Sequence, residues 1–177
     1  MPFLELFDET LDINSTENYE LSLQVSNNGL SFCLLDSIRN KFVMIRSFGA
    51  DENKYFNPDK ISELLHHDDF LNKRYKKVKC IIPSSKFTLV PALLYDPGKK
   101  EEHFTFNHNL DEGHIVLVNR VIDPDAFLVF SVSRQIFDLI NSFYPGVNPY
   151  HHIKLILDHT SSVRKSENGN YIHVHVE

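Results

Sequence analysis

The chain has 177 residues, of which 42% are hydrophobic and 24% are charged, and its net charge is −6. This length and apolar content suffice for one domain with a sizeable core, and they exclude a disordered tail. The acidic balance argues against a general nucleic-acid-binding protein, because a surface that binds phosphates must be basic.

The N-terminal sequence predicts a cytoplasmic protein. Residues 1–19 lack the basic stretch followed by an apolar core that marks a signal peptide. No apolar run approaches the ~20 residues needed to span a bilayer, so we expect no membrane span. Cys33 and Cys80 each lie in an apolar, strand-like run. We therefore expect two reduced thiols rather than a disulfide.

The first folded segment predicts three consecutive antiparallel strands. Residues 19–26 alternate between apolar and polar side chains, which is typical of a half-buried strand. Asn28-Gly29 is typical of a two-residue hairpin turn, whose residues require positive φ angles. The segments 30–36 and 42–48 extend the pattern, so the three strands form a meander.

A helix and a buried strand are predicted next. Asn57 is placed to cap a helix that begins at Pro58, and the apolar stripe of this helix runs to Leu71. The apolar run 78–83 predicts a buried strand parallel to the first strand. Segment 84–113 has no clear periodicity and holds two candidate short helices, PALLYD and KKEEHFTFNHN.

The rest of the chain predicts a ribonuclease H-like α/β domain. Its predicted elements are strands at 114–121 and 126–132, a helix capped by Ser133, an extended piece near 147–151, a helix at 153–165 and a strand at 171–177. Without the excursion, the order is βββαβαβα, as in a ribonuclease H-like layer. We expect a first domain over 1–170 with an inserted α+β subdomain at 84–131. Residues 171–177 are then the opening strand of a second half not present here.

Three segments resemble an uncharacterised bacterial protein family that is labelled only as a domain of unknown function. They are FDETLDINSTENYELSLQVSNNGLSFCLLD (7–36), PSSKFTLVPALLYD (83–96) and FSVSRQIFDLINSFYPG (130–146), the last followed by a His-His pair. The resemblance covers nearly the whole chain and implies an actin-like ATPase fold. It also implies a longer protein with two ribonuclease H-like halves, of which this chain resembles the N-terminal one. The family brings no settled activity.

The first hairpin bears on whether an actin-like fold here is an active ATPase. Such an enzyme needs a carboxylate at the end of the first strand to position its metal, and a glycine turn whose amides wrap the phosphates. Gln24 stands where the acid is expected, and Ser26 stands where the glycine is expected. Nuclease activity of the ribonuclease H type is not expected either, because it also requires an acid at this position of the first strand to bind its metals.

We therefore expect a non-catalytic actin-like protein that binds a protein partner or acts as a scaffold, with no cofactor. Its degenerate active site is a vestigial phosphate turn formed by Gln24, Ser26, Asn27, Asn28 and Gly29. The alternative is a nucleotide-binding ATPase of the actin-like superfamily, with an altered phosphate loop that takes ATP and Mg²⁺. We also expect a homodimer, because the last strand of the chain would present an exposed edge.

Three further features have weaker functional interpretations. The run 66–69 (HHDD) suggests metal ligands, but neighbours on a helix point ~100° apart, and no i, i+4 pair with a third ligand is present. We expect a solvated helix end and no metal site. The basic run 73–79 suggests a docking patch for an acidic partner or for RNA, but we favour a solvated loop that leads into the following strand. Phe104 and Phe106 are the aromatic candidates for an interaction surface.

Overall fold

The computed structural model describes residues 2–49 and 57–166. Its strands are β1 Leu4–Phe7, β2 Tyr19–Ser26, β3 Gly29–Asp36, β4 Lys41–Gly49, β5 Lys77–Ile81, β6 Phe87–Pro91, β7 His114–Val121 and β8 Ala126–Ser133. Its α-helices are α1 Pro58–His67, α2 Lys100–Thr105, α3 Arg134–Phe143 and α4 His152–Ser166. Short 3₁₀ helices lie at Thr16–Asn18, Ala92–Leu94 and Pro97–Lys99. The predicted strand at 171–177 lies outside the described residues.

The chain packs as two units. Among the described residues, the first combines 2–49, 57–83 and 133–149, and the second combines 84–132 with 150–166. None of the helices in the described part of the chain is long and apolar enough to cross a membrane. Each unit is built on its own sheet, and the fold as a whole is mixed α/β.

The first unit contains a five-stranded sheet in the order β1-β4-β3-β2-β5. Strands β2, β3 and β4 pair antiparallel, which confirms the predicted meander. Strand β5 lies parallel to β2, as the apolar run at 78–83 predicts. The sheet is therefore mixed, with one parallel pair at the β5 side.

The core of the first unit covers one face of this sheet. Alternate residues of β2 and β3 are buried and lie opposite each other, with Leu21 facing Leu34 and Leu23 facing Phe32. The buried residues of α1 and α3 add Ile61, Leu65 and Ile140. Each leucine buried in this way contributes about 2 kcal/mol to folding, which makes this face the main source of stability.

Helix α1 begins where the sequence predicts and ends earlier. The side chain of Asn57 accepts a hydrogen bond from the Lys60 amide at 2.9 Å, which confirms the predicted cap. The prediction that the helix continues to Leu71 was wrong, because the backbone is extended at Asp68. The Asp68 carboxylate accepts hydrogen bonds from the amides of Phe70 and Leu71 at 2.9 and 3.1 Å, and it therefore stabilises a turn instead of a further helical turn.

The second unit contains a three-stranded sheet in the order β6-β8-β7. Its central strand β8 is buried on both faces. One face packs against α2 in a cluster of four buried residues, Val90, Phe104, Val116 and Val129. Helix α4 contacts β7. The sequence does not predict β6, which ends in Pro91. Proline has no backbone amide to donate to a neighbouring strand, so its presence argues against a central strand and is tolerated only at a sheet edge.

His151 is fully buried and directly precedes α4. Its ring lies 4.8 Å from the ring of Phe87 and 5.0 Å from that of Phe130, two residues that face each other across β6 and β8. Its Nε2 lies 2.8 Å from the carbonyl oxygen of Ser84, and Nδ1 accepts a hydrogen bond from the Ile153 amide. The predicted extended piece before it, near 147–151, forms no strand, and Tyr150 makes only an isolated bridge.

Candidate functional site: the β2–β3 hairpin

The hairpin between β2 and β3 carries the five residues of the predicted phosphate turn. Ser26 lies opposite Gly29, which leaves Asn27 and Asn28 as the two turn residues. The prediction of an Asn28-Gly29 turn with positive φ angles was wrong in its position and for Asn28. Neither asparagine has a positive φ, whereas Gly29 has a φ of +158° but is already the first residue of β3.

The side chain of Ser26 closes this turn from within. Its hydroxyl accepts a hydrogen bond from the Asn28 amide at 3.2 Å and donates one to the Gly29 carbonyl at 3.3 Å. A phosphate-binding turn works by directing free backbone amides at the anion. Because the Asn28 amide already has a partner in the serine hydroxyl, the hairpin offers one donor fewer to a phosphate.

Gly29 is required by the neighbouring strand. A Cβ atom at this position would lie 2.2 Å from the carbonyl oxygen of Phe48 in β4, well inside van der Waals contact. Gly29 pairs directly with Gly49 there, so the two strands approach each other at a point without side chains. The close approach of β4 explains the glycine without any ligand.

Gln24 lies on the other, more open face of the sheet, and its side chain is exposed. It faces Ser31 across the hairpin and helps to line a cleft of about 140 Å³. None of the lining residues is charged, and they include Phe3 and Ser47. Ligand pockets usually exceed ~300 Å³, and a magnesium–triphosphate complex needs charged groups around it. The cleft meets neither requirement.

The described residues contain no group of three or more His, Cys, Asp or Glu side chains arranged to hold a metal ion. In the 66–69 run, Nδ1 of His66 lies 2.8 Å from the Ser62 carbonyl and Nδ1 of His67 lies 2.9 Å from the Glu63 carbonyl. Both rings are thus engaged with the backbone of their own helix, at its C-terminal end.

Two other sets of candidate residues also have structural roles. In the basic run 73–79, Lys79 forms a 2.8 Å ion pair with Glu20, and Nζ of Lys76 donates to the Ser37 hydroxyl at 2.9 Å. The cysteines are free thiols. Burial raises the pKa of Cys80 to about 12, which keeps this thiol protonated and unreactive at neutral pH.

A larger, apolar depression of the first unit lies elsewhere, along β1, β4 and β3. It has a volume of about 520 Å³, and its lining includes Leu6, Cys33, Phe42 and Ile45. Sequence reasoning missed this groove because it did not predict β1. The available signal was the run LELF, whose three large apolar residues precede the first polar turn.

Comparison with known proteins gives a family and a fold, but no activity. The family model described as "Protein of unknown function (DUF3822)" matches residues 8–177. A solved structure from Bacteroides thetaiotaomicron VPI-5482, described as a protein with actin-like ATPase fold and unknown function, is 25% identical with a TM-score of 0.81. The similarity covers 91% of this chain and 62% of that chain, so this chain spans less than two thirds of that relative. No curated protein matches.

Proposed function

Since the chain belongs to the DUF3822 family of proteins of unknown function, we propose that it is a non-catalytic, actin-like protein that binds a protein partner or acts as a scaffold. The proposal places it in the cytoplasm of a bacterial cell. It has no catalytic residue and no cofactor of its own. The solved relative, described as having an actin-like ATPase fold, supports the actin-like part of the proposal. The hairpin of this chain is the reason for proposing that it does not hydrolyse ATP.

One observation carries the proposal: contacts within the protein already account for the amide and the glycine of the hairpin that a phosphate would need. The hydroxyl of Ser26 occupies the Asn28 amide, and β4 accounts for the glycine at position 29. Gln24 supplies an amide where a phosphotransfer enzyme of this fold needs a carboxylate for its metal. Each of the three features that a phosphate turn needs is therefore changed or already engaged.

The proposal includes a ribonuclease H-like layer with an inserted subdomain at 84–131. The first unit has three antiparallel strands followed by a parallel one, the arrangement with which such a layer begins. The chain leaves this unit after Pro83 and returns to it at Ser133, which supports an insertion. Helix α4 belongs to the second unit, where it contacts β7. The proposed first domain, which runs to residue 170, therefore includes one helix that packs with the inserted subdomain.

The second unit supplies a surface for the partner. Leu93 is 98% exposed, Phe106 is 87% exposed and Ile122 is 75% exposed. Of the two predicted interaction residues, Phe106 is thus available, whereas Phe104 is fully buried in the core. A contiguous exposed apolar patch marks a protein-interaction site, and we propose these side chains as the candidates for such a patch.

Calorimetric titration with ATP and Mg²⁺, combined with a phosphate-release assay, separates the proposal from the alternative ATPase. We expect no saturable heat and no phosphate above the protein-free blank. Micromolar binding with hydrolysis would establish the alternative, a nucleotide-binding ATPase with an altered phosphate loop.

Affinity capture from cells tests the partner-binding part. The variant Leu93→Asp/Phe106→Asp should lose a protein that the wild type retains, whereas Thr105→Asp, a polar change in the same region, should retain it. Equal capture by all three proteins would show that this surface does not bind the partner.

A further inference from the structure

The open face of the first sheet carries an exposed apolar surface next to its edge. We call Leu4, Leu6, Phe42 and Ile45 the β1 surface. Leu6 lies opposite Ile45 across the β1–β4 pair, and their side chains therefore share one face. Phe42 is 64% exposed, Leu6 60%, Ile45 40% and Leu4 37%. Three of these side chains, Leu6, Phe42 and Ile45, line one groove, which exceeds the scattered exposure normal for a monomer.

The backbone beside this surface is also available. In the described part of the chain, β1 has a neighbouring strand on one side only. The Asp8 amide donates to the Val43 carbonyl of β4 at 2.9 Å. Antiparallel pairing uses every second residue, so Glu5 and Phe7 direct their amide and carbonyl groups away from β4. Such an edge is a template for another strand.

The charges around β1 favour a second copy over a charged partner. Glu5 forms an ion pair with Arg46, and Asp8 forms one with Lys41 at 2.6 Å. Each of these carboxylates therefore lies beside a cation of its own copy, although Arg46 is shared with Asp68. This reduces like-charge repulsion between two identical surfaces, and an acidic partner finds no excess of positive charge here.

We propose that β1 pairs antiparallel with β1 of a second copy, joining two sheets across a twofold axis. This inference rests on the proposed protein-binding function and names this chain as a partner. It uses an edge different from the last strand of the chain.

The available backbone groups also select the register. Glu5 lies opposite Phe7 of the partner subunit, and Leu6 lies opposite Leu6 of the partner subunit at a non-hydrogen-bonded site, where Cα atoms are about 4.5 Å apart. A register centred on Glu5 would oppose two carboxylates, which is unfavourable. A register centred on Phe7 would pair only this residue with β1 of the partner subunit, because Leu6 would then face a residue beyond the end of that strand.

Light scattering across a concentration series tests the dimer. The wild type should dimerise, and Leu6→Lys should raise the dissociation constant at least tenfold, because two lysines would face each other across the axis. The matched control is Ile38→Lys, which alters an exposed isoleucine in the turn between β3 and β4 and should dimerise like the wild type. A wild type that stays monomeric at high concentration overturns the proposal, and so does a dimer that Leu6→Lys leaves intact.

Disulfide cross-linking tests the register. In a Cys33→Ser background, mild oxidation should convert Leu6→Cys into a covalent dimer, since the expected Cα separation lies within the range for a disulfide. Leu4→Cys should cross-link at least tenfold more slowly, because in this register residue 4 faces residue 8. Equal rates at the two positions would overturn the register.

The dimer and the proposed function can fail separately. A monomeric wild type that binds no nucleotide overturns this inference and leaves the proposed function standing. Nucleotide hydrolysis overturns the proposed function whether or not the dimer forms.

Discussion

At the scale of single residues, Gly29 and Ser26 show how a motif can be read in two ways. In the sequence, a glycine after two asparagines suggests a turn that wraps a phosphate. In the structure, the glycine makes room for the carbonyl of Phe48 and the serine hydroxyl fills the turn. Residue type alone does not distinguish a ligand contact from a strand contact, because both need the same small or hydroxylated side chain.

Replacing Gly29 with alanine should destabilise the protein by roughly 2 kcal/mol, since strands β3 and β4 must separate to admit the new methyl group. Urea denaturation measures the loss. Gly49→Ala is the matched control from the same cross-strand pair. Its added Cβ meets only the Phe3 ring at 3.4 Å, an ordinary contact, and stability should change little. Similar losses in the two variants would contradict the steric account.

Asp36 should make stability depend on pH. The backbone amides of Arg39 and Ile38 and the Arg39 side chain donate to its carboxylate, and they hold its pKa below the usual value. The folded protein therefore binds fewer protons here than the unfolded chain. This stabilisation is present above an unfolded-state pKa of about 3.9 and is lost as pH falls through the lower, folded-state pKa.

Denaturation at pH 7 and at stepwise lower values checks this sign. The wild type should lose stability below about pH 4, the value for a free aspartate, and Asp36→Asn should lose less over the same interval. Asp69→Asn replaces an exposed aspartate and should follow the wild-type curve. A pH dependence that Asp36→Asn leaves unchanged would assign the effect to other carboxyl groups.

At the scale of elements, Arg46 connects β4 to two other parts of the first unit. Its guanidinium forms ion pairs with Glu5 of β1 and, at 2.6 Å, with Asp68 after α1. It also lies 5.1 Å from the ring centroid of Phe70. The side chains of Arg46 and Asp68 are only 13% and 4% exposed, so each depends on the other for compensation of its charge.

Arg46→Met should cost roughly 3 kcal/mol, because it leaves the Asp68 carboxylate buried without its cation. Lys60→Met removes a cation from an ion pair in which Lys60 is 49% and Glu63 57% exposed, and it should cost much less because water already screens both charges. Parallel denaturant titrations measure both. Equal losses would show that burial does not set the strength of these ion pairs.

Elements with clear periodicity could be predicted, whereas edge strands could not. Strands β2 and β3 alternate between buried and more open positions, and this pattern is visible in the sequence. All four residues of β1 are exposed, and β6 ends in a proline, so neither carries the same signal. Both strands form by pairing with a partner distant in the chain, and local periodicity contains no information about such pairing.

At the scale of the whole molecule, the position of the candidate site could be predicted but its surroundings could not. The strand-turn-strand pattern locates the hairpin and its five residues. The cleft beside Gln24 also requires Phe3 and Ser47, which approach only when β1 and β4 pair. The groove along β1 depends on the same pairing. A functional surface built across distant strands is a property of the assembled sheet.

The central proposal is that the β2–β3 hairpin does not bind a nucleotide. Two-dimensional amide NMR of the protein, titrated with ATP and Mg²⁺, tests it directly at Asn27, Asn28 and Gly29. We predict that these amide signals stay in place at millimolar nucleotide, since the Asn28 amide remains bonded to the Ser26 hydroxyl. Saturable shifts of these three signals, with a midpoint in the micromolar range, would contradict the account.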